Sequence, residues 1–273
     1  MKSAFGIAAC AGVLFATQSA FAQPAGSDDG FQAAIGGGMM FAPAYVGDDE
    51  YQLSVLPNIQ FKYGDRFFAS VQEGVGYNIV NTKNFRAGPI ARIAFPRNED
   101  GDQPFVIAGD PTTDLIGLGD VGATAELGGF VEYRAGALSA TLEARQGVNG
   151  HNGFVSDISV NYRGQRFALG RPLIYSVGPR LRLVDDSFQS AYFGVTPAQS
   201  LASGLPEFDA DGGLHSYGIG ATVVRPIDRA GSINAVFVAG YDRLAGDAGD
   251  APLVRERGAR DQLMIGVFFS YSL

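Results

Sequence analysis

The catalytic vocabulary of this chain is narrow: two histidines, His151 and His215, and a single cysteine, Cys10. Acyl hydrolysis at a membrane needs a serine beside a histidine, with an amide or carboxylate orienting the ring. Neither histidine lies in an H-x-S arrangement. His151 occupies the tight Gly150-His151-Asn152-Gly153 connection, and His215 opens a segment with the outward parity of Tyr217 and Ile219. A serine brought in from another strand stays open at this level. A protease of the aspartyl/histidyl kind would need paired aspartates near a histidine. The pairs on offer are Asp48-Asp49, Asp185-Asp186 and Asp247/Asp250, all in acidic loops whose ordinary role is to be solvated. Ca²⁺ also uses clustered carboxylates, yet the spacing matches no EF-hand. Gly36-Gly37-Gly38 lies inside a strand pattern rather than before a helix, so it reads as a place for sheet curvature, not a nucleotide loop. The sequence therefore assigns no catalytic residue, no cofactor and no metal ligand.

What the remaining charges do depends on the elements that carry them. The last eleven residues put Leu263, Ile265, Val267, Phe269, Tyr271 and Leu273 at alternate positions. A strand sends alternate side chains to opposite faces, so one face is continuously apolar. An apolar-faced final strand with an aromatic two residues before its end resembles the C-terminal signal of bacterial outer-membrane β-barrels. The 121–148 region repeats the pattern as a hairpin. Ala125, Leu127, Val131 and Tyr133 share one face, and Glu126, Phe130, Glu132 and Arg134 the other; Leu138, Ala140, Leu142 and Ala144 then alternate with Ser139, Thr141, Glu143 and Arg145. An arginine facing lipid near the midplane costs about 2–4 kcal/mol, so the charged face must look into a lumen. With a two-residue Ala135-Gly136 turn, Glu126 stands opposite Arg145 as an inward pair. The same parity turns Asp157, Asn161, Arg180 and Arg182 inward, which makes Arg180 and Arg182 candidate lumen charges.

The other end of the chain agrees. Lys2, the uncharged Ala4–Ala16 run and Ala20-Phe21-Ala22 have the order of a secretory signal cleaved after Ala22. That makes residues 1–22 a signal peptide and 23–273 one barrel domain, and Cys10 leaves with the leader. The net charge of −8 gives no electrostatic footprint for nucleic acid. Beyond the leader no apolar run reaches the length of a membrane helix, although 46% of residues are hydrophobic and 38 are glycine. Many short alternating segments rich in Gly, Phe and Tyr suit a transmembrane barrel. With no Trp in the chain, any interfacial aromatic girdle must be Tyr and Phe.

The alternation predicts eleven strands: 31–41, 51–63, 66–80, 84–95, 121–134, 137–148, 153–163, 168–184, 212–225, 231–243 and 261–273. Tyr63-Gly64-Asp65-Arg66, Arg134-Ala135-Gly136-Ala137 and Arg163-Gly164-Gln165-Arg166 read as short turns. The connections 42–50, 96–120, 185–211 and 244–260 are long, acidic and rich in Pro and Gly. Short turns at one end and long loops at the other is the outer-membrane pattern, which requires an even strand count. The fold class is thus all-β, a closed antiparallel transmembrane β-barrel after a cleaved signal peptide, with twelve strands favoured and ten as the alternative. The missing strand is expected within 96–120 or 185–211.

Several loop segments, in order, carry a family resemblance. They are Leu118-Gly119-Asp120-Val121, Glu126-Leu127-Gly128-Gly129-Phe130, Gly150-His151-Asn152-Gly153, Tyr192-Phe193-Gly194-Val195, Ser203-Gly204-Leu205-Pro206, and the run from Arg243-Leu244-Ala245-Gly246-Asp247 through Ala251-Pro252-Leu253-Val254. Together they are similar to the family of MltA-interacting protein (MipA) and OmpV, from about Phe31 to Leu273. Ala251 stands where that family commonly has Ser, and Leu273 where it usually ends in Phe. The resemblance implies residence in the Gram-negative outer membrane, contact with its lipid and lipopolysaccharide, and a scaffold that brings a murein transglycosylase to a murein synthase. It implies no catalytic residues. Two functions therefore stand: a scaffold or interaction protein, and a narrow channel for small solutes. Glu126/Arg145, Arg180 and Arg182 could line a pore or close one.

Overall fold

The computed structural model describes residues 30–273, apart from 102, 104, 110 and 169. The leader expected at 1–22 lies outside the described residues. The first four strands are β1 (Phe31–Pro43), β2 (Tyr51–Tyr63), β3 (Phe67–Ser70) and β4 (Gly74–Tyr77). Then come β5 (Val80–Asn81), β6 (Phe85–Ala94), β7 (Val106–Ala108), β8 (Thr124–Ala135) and β9 (Leu138–Val148). The chain continues with β10 (Phe154–Ala168), β11 (Arg171–Val184), β12 (Gly213–Pro226), β13 (Ile233–Leu244) and β14 (Asp261–Ser272). The strands pair antiparallel around the sheet in chain order, with β4 joined to β6 and β6 to β8, and β1 pairs with both β2 and β14, which closes the ring. Both β4 and β5 pair with β6 and run in series along one stave, while β7 only patches β2 at Leu53 and Ser54. The wall therefore has twelve staves. A closed ring leaves no sheet edge for lipid to meet, the condition a spanning sheet must satisfy.

The twelfth strand is not in 96–120 or 185–211, as the sequence suggested. It is in 66–80, which folds back on itself as the hairpin β3–β4, with Gly74 at φ +79°. Among the described residues, 96–120 contributes only β7 to the strands, and 185–211 holds helices at Asp186–Phe193 and Pro197–Ser203. A second correction concerns 163–166, which is not a turn. β10 runs to Ala168, which pairs with Arg171 of β11, and Gly170 beside that pair is at φ +72°. Gly164 has another purpose: it sits directly opposite Tyr175, whose ring occupies the space a Cβ would need.

The turns between β2 and β3, β8 and β9, β10 and β11, and β12 and β13 share one end with both barrel termini, and by the rule for these barrels that end faces the periplasm. The outer surface is apolar, with Ile35, Val131, Leu142, Ile219, Ile265 and Phe269 all exposed. Exposed Tyr63, Tyr77, Tyr133, Phe167 and Tyr271 lie near the periplasmic strand ends, and Phe41, Phe154, Tyr217 and Tyr241 near the others. These form the two Tyr/Phe girdles of a barrel without Trp.

Candidate functional site

The extracellular loops fold into a cap. Its helices are α1 (Asp186–Phe193), α2 (Pro197–Ser203), α3 (Gly246–Asp250) and α4 (Pro252–Arg257). Local chemistry dictates them. The Asp185 side chain accepts the Phe188 N–H at 3.0 Å and caps α1. Thr196 and Gln199 form a capping box on α2, with Pro197 at the first helical position and Gly204 ending the helix at φ +79°. One cap core gathers Tyr45, Leu115, Leu118, Val195, Leu205 and Leu253. A second gathers Phe193, Ala210, Leu244, Ala248, Ala251 and Val254. Side chains of the Leu and Phe class contribute about 1.5–3 kcal/mol each when fully buried, so the cap is held by packing. Of the segments that carried the family resemblance, Leu118, Phe193, Val195, Leu205, Ala248, Ala251, Leu253 and Val254 belong to this cap core, whereas 126–130 lies on β8 and 150–153 in the connection between β9 and β10.

Directly beneath the cap lies a charged layer. Arg145 is 2% exposed and reaches three carboxylates: Glu126 at 2.8 Å, Glu143 at 2.5 Å and Asp157 at 2.6 Å. Arg92 holds the other oxygen of Glu143 at 2.9 Å, and Arg182 holds Asp157 at 2.8 Å. The circuit spans β6, β8, β9, β10 and β11. Arg180 grips Asp242 with two hydrogen bonds of 2.9 and 2.5 Å, reaching across β12. Gly220 and Gly240 make room for it, since a Cβ at Gly240 would lie 2.5 Å from its guanidinium. Fork-to-carboxylate geometry of this kind is the strongest form of side-chain hydrogen bond.

Glu126 and Arg145 are therefore both in the lumen and ion-paired, but they are not directly opposed. The observed register pairs Glu126 with Gly147 and Gly128 with Arg145. The turn is Gly136-Ala137, with Gly136 at φ +61°, where a left-handed backbone is free of strain. The hairpin slides by one pleat relative to the sequence reading. Parity survives a shift of two, so both side chains stay inside and meet diagonally.

Both histidines are buried and packed among side chains of the barrel and cap. Asn149, Gly150 and Asn152 have φ of +65°, +53° and +50°, and this tight loop turns His151 inward. Its Nδ1 accepts the Gly153 N–H at 3.0 Å, so Nε2 carries the proton and donates to Glu126 at 3.1 Å. The ring packs on Phe188 and Tyr192. His215 does not follow the outward parity of Tyr217. A β-bulge against Arg182/Leu183 turns it inward beside Ser216, where it is 3% exposed, contacts Gln189 at 3.2 Å and packs on Phe188 and Phe193. Among the described residues no serine hydroxyl is hydrogen-bonded to either ring.

Below the charged layer the lumen opens. A cavity of about 380 Å³ faces the periplasmic end, lined by Lys62, Arg86, Arg134, Arg163, Glu73 and Phe130 among others. Glu132 is fully buried at its wall, bridging Arg86 and Arg134. An apolar sector of Met40, Leu56, Met264 and Phe268 fills the opposite side of the barrel. In the cap, burial pushes the Asp48 carboxyl up to about 7 and raises Asp114 as well.

No curated protein matches this chain by sequence. Among solved structures it is similar to Pseudomonas putida OprB, at TM-score 0.37 and 12% identity, over 82% of this chain and 59% of that one. It is similar to the outer membrane protein OprD of Pseudomonas aeruginosa, at TM-score 0.33 and 12% identity, over 89% of this chain and 65% of that one. It is also similar to OmpT of Vibrio cholerae, at TM-score 0.33 and 9% identity, over 89% of this chain and 96% of that one. The chain thus spans less than two thirds of OprB and OprD. The sequence itself matches the MltA-interacting protein MipA family over residues 35–273, and the chain belongs to that family.

Proposed function

We propose that this outer-membrane barrel is a scaffold that offers its periplasmic mouth to a murein-cutting transglycosylase and its partner synthase, and that it is not a solute channel. Export through a leader cleaved after Ala22, and lipid and lipopolysaccharide around the apolar outer face, belong to the same reading. The observation that carries it is the asymmetry of the lumen. Toward the outside, a packed cap and the Arg145 circuit stand in the way of solutes. Toward the periplasm, a charged cavity of about 380 Å³ is accessible, lined by Lys62, Arg86, Arg92, Arg134 and Arg163 against Asp65, Glu73 and Glu143. The family description names an interaction with MltA, a murein transglycosylase, and the periplasmic mouth is where such a partner would meet the barrel. The excess of basic over acidic side chains in this lining suits an acidic protein surface by charge complementarity, which sets specificity and association rate.

The test uses the barrel in lipid nanodiscs and a soluble family transglycosylase in a surface-binding assay. Saturable binding is expected. The charge reversals Lys62→Glu and Arg163→Glu should weaken it about tenfold or more, with a reduced salt dependence. Absence of binding, or binding indifferent to both reversals, would sink the periplasmic-mouth reading.

A further inference from the structure

Six carboxylic acids are buried among the described residues: Asp48, Glu126, Glu132, Glu143, Asp157 and Asp242. Five of them have a guanidinium at ion-pair distance. Asp48 is the exception. It is fully buried; its Oδ1 accepts the Glu50 N–H at 2.9 Å, and its Oδ2 is buried with no hydrogen-bond partner among the described residues. Two further carboxylates come to the same point. One oxygen from each of Asp48, Asp49 and Asp114 lies within 4.8 Å of the others. Among the described residues no Lys, Arg or His forms an ion pair with any of the three. Arg257 reaches this loop but donates to backbone, to the Asp114 carbonyl at 2.8 Å and to that of Ser203.

A protein that matches its other buried acids with arginines has left this one for a different cation. Three anionic oxygens, one fully dehydrated, are poorly stable as bare charges. A hard divalent ion with ligand distances of 2.3–2.6 Å holds any two of its oxygens within about 5 Å of each other, which the observed spread satisfies. The donor set is all oxygen, with no His or Cys, which selects against zinc and copper. Asp49 is exposed, so solvent can complete a coordination shell of six to eight.

We propose that Asp48, Asp49 and Asp114 bind a divalent cation, calcium by preference, which fastens the 95–123 loop to the 44–50 loop in the extracellular cap. The 44–50 loop is already stitched to the last loop. Asp48 bridges Gly258, the Ala259 N–H donates to the Gly47 carbonyl at 2.9 Å, and Gln262 bonds both Gly47 N–H and Asp48 carbonyl at 3.0 and 3.1 Å. Asp114 immediately precedes Leu115, a cap core residue. The ion therefore ties together three loops remote in sequence and locks the cap over the lumen.

The experiment takes the mature barrel in detergent, stripped with a chelator, and adds calcium alone. Isothermal titration should show one saturable site in the range of extracellular calcium modules, about 10⁻⁴–10⁻³ M. Terbium luminescence, excited through tyrosine in a chain without Trp, should report the same site, and calcium should compete it away. Asp48→Asn and, separately, Asp114→Asn should each weaken binding about tenfold or more. Asp250→Asn, an acid paired with Arg260 in an exposed part of the cap, should leave it unchanged. If Asp48→Asn fails to fold, Asp114→Asn carries the test, because Asp114 is only partly buried. No saturable calcium binding, or parental binding in both Asp48→Asn and Asp114→Asn, overturns the proposal.

Discussion

Removing Arg145 should unbalance the lumen more than any other single lumen substitution. The side chain is 2% exposed and neutralises part of three carboxylates at 2.5–2.8 Å. At an effective dielectric near 20, one such contact is worth about 4 kcal/mol in Coulomb energy, set against a desolvation cost of several kcal/mol per ion. The circuit softens the loss unevenly. Glu143 keeps Arg92 and Asp157 keeps Arg182, but Glu126 keeps only the N–H of His151. Arg145→Met should therefore destabilise by about 3–5 kcal/mol, the usual cost of orphaning a buried charge. Adding Glu126→Gln to that background should recover about 1–3 kcal/mol, whereas Glu126→Gln alone should be destabilising. Urea unfolding in lipid vesicles, on the two singles and the double, measures the coupling. Effects additive to within about 0.5 kcal/mol would refute the argument that these two charges stabilise one another in the lumen.

Four further outcomes are expected. Tyr271→Asp places a charge on the lipid face of β14, beside Ile35 and Ile233; heat-modifiable gel migration should show loss of folded barrel, and parental folding would contradict the insertion reading. A Cβ on Gly36 would sit 1.8 Å from the Phe269 carbonyl oxygen, whereas one on Gly37 meets nothing closer than 3.4 Å. Gly36→Ala should thus lower the unfolding midpoint by far more than Gly37→Ala, and equal effects would show that the β1–β14 seam is not this close. Gly164→Val should displace the Tyr175 ring that lies over Gly164 and cost about 1–3 kcal/mol; a neutral result would return 163–166 to a loop. Mass spectrometry of the exported protein should begin at Gln23, and a lipid-modified Cys10 would contradict the leader assignment.

The parts of this fold written as alternation were legible. β14, β8 and β9 each state their outward and inward faces residue by residue, and the inward set of β8 and β9 contains Glu126, Glu143 and Arg145 of the circuit. Glycine was the ambiguous letter. Gly164 looks like a turn and is a seat for Tyr175, while Gly74 closes a hairpin hidden in what reads as one long strand. Thr196-Pro197-Ala198-Gln199 has the residue order of a helix start, and that capping box is a local signal against the strand expected in 185–211. His215 went unread because a bulge reverses parity without leaving a signature in residue types. Arg180–Asp242 and Asp48–Asp114 were out of reach, since each joins residues that only barrel closure or loop packing brings together. The family resemblance rested on short, individually weak segments, and most of them supply the buried core of the cap, while 126–130 supplies a stretch of β8 and, in Glu126, a member of the Arg145 circuit.

The central claim is that the lumen is closed toward the outside and accessible from the periplasm, and single-channel recording in planar bilayers tests it most directly. The intact barrel should show no stable conductance. Arg145→Ala combined with deletion of the α1–α2 loop should produce discrete openings, because both layers over the charged cavity are then removed. A reproducible open conductance from the unaltered protein would contradict the claim and make the barrel a channel.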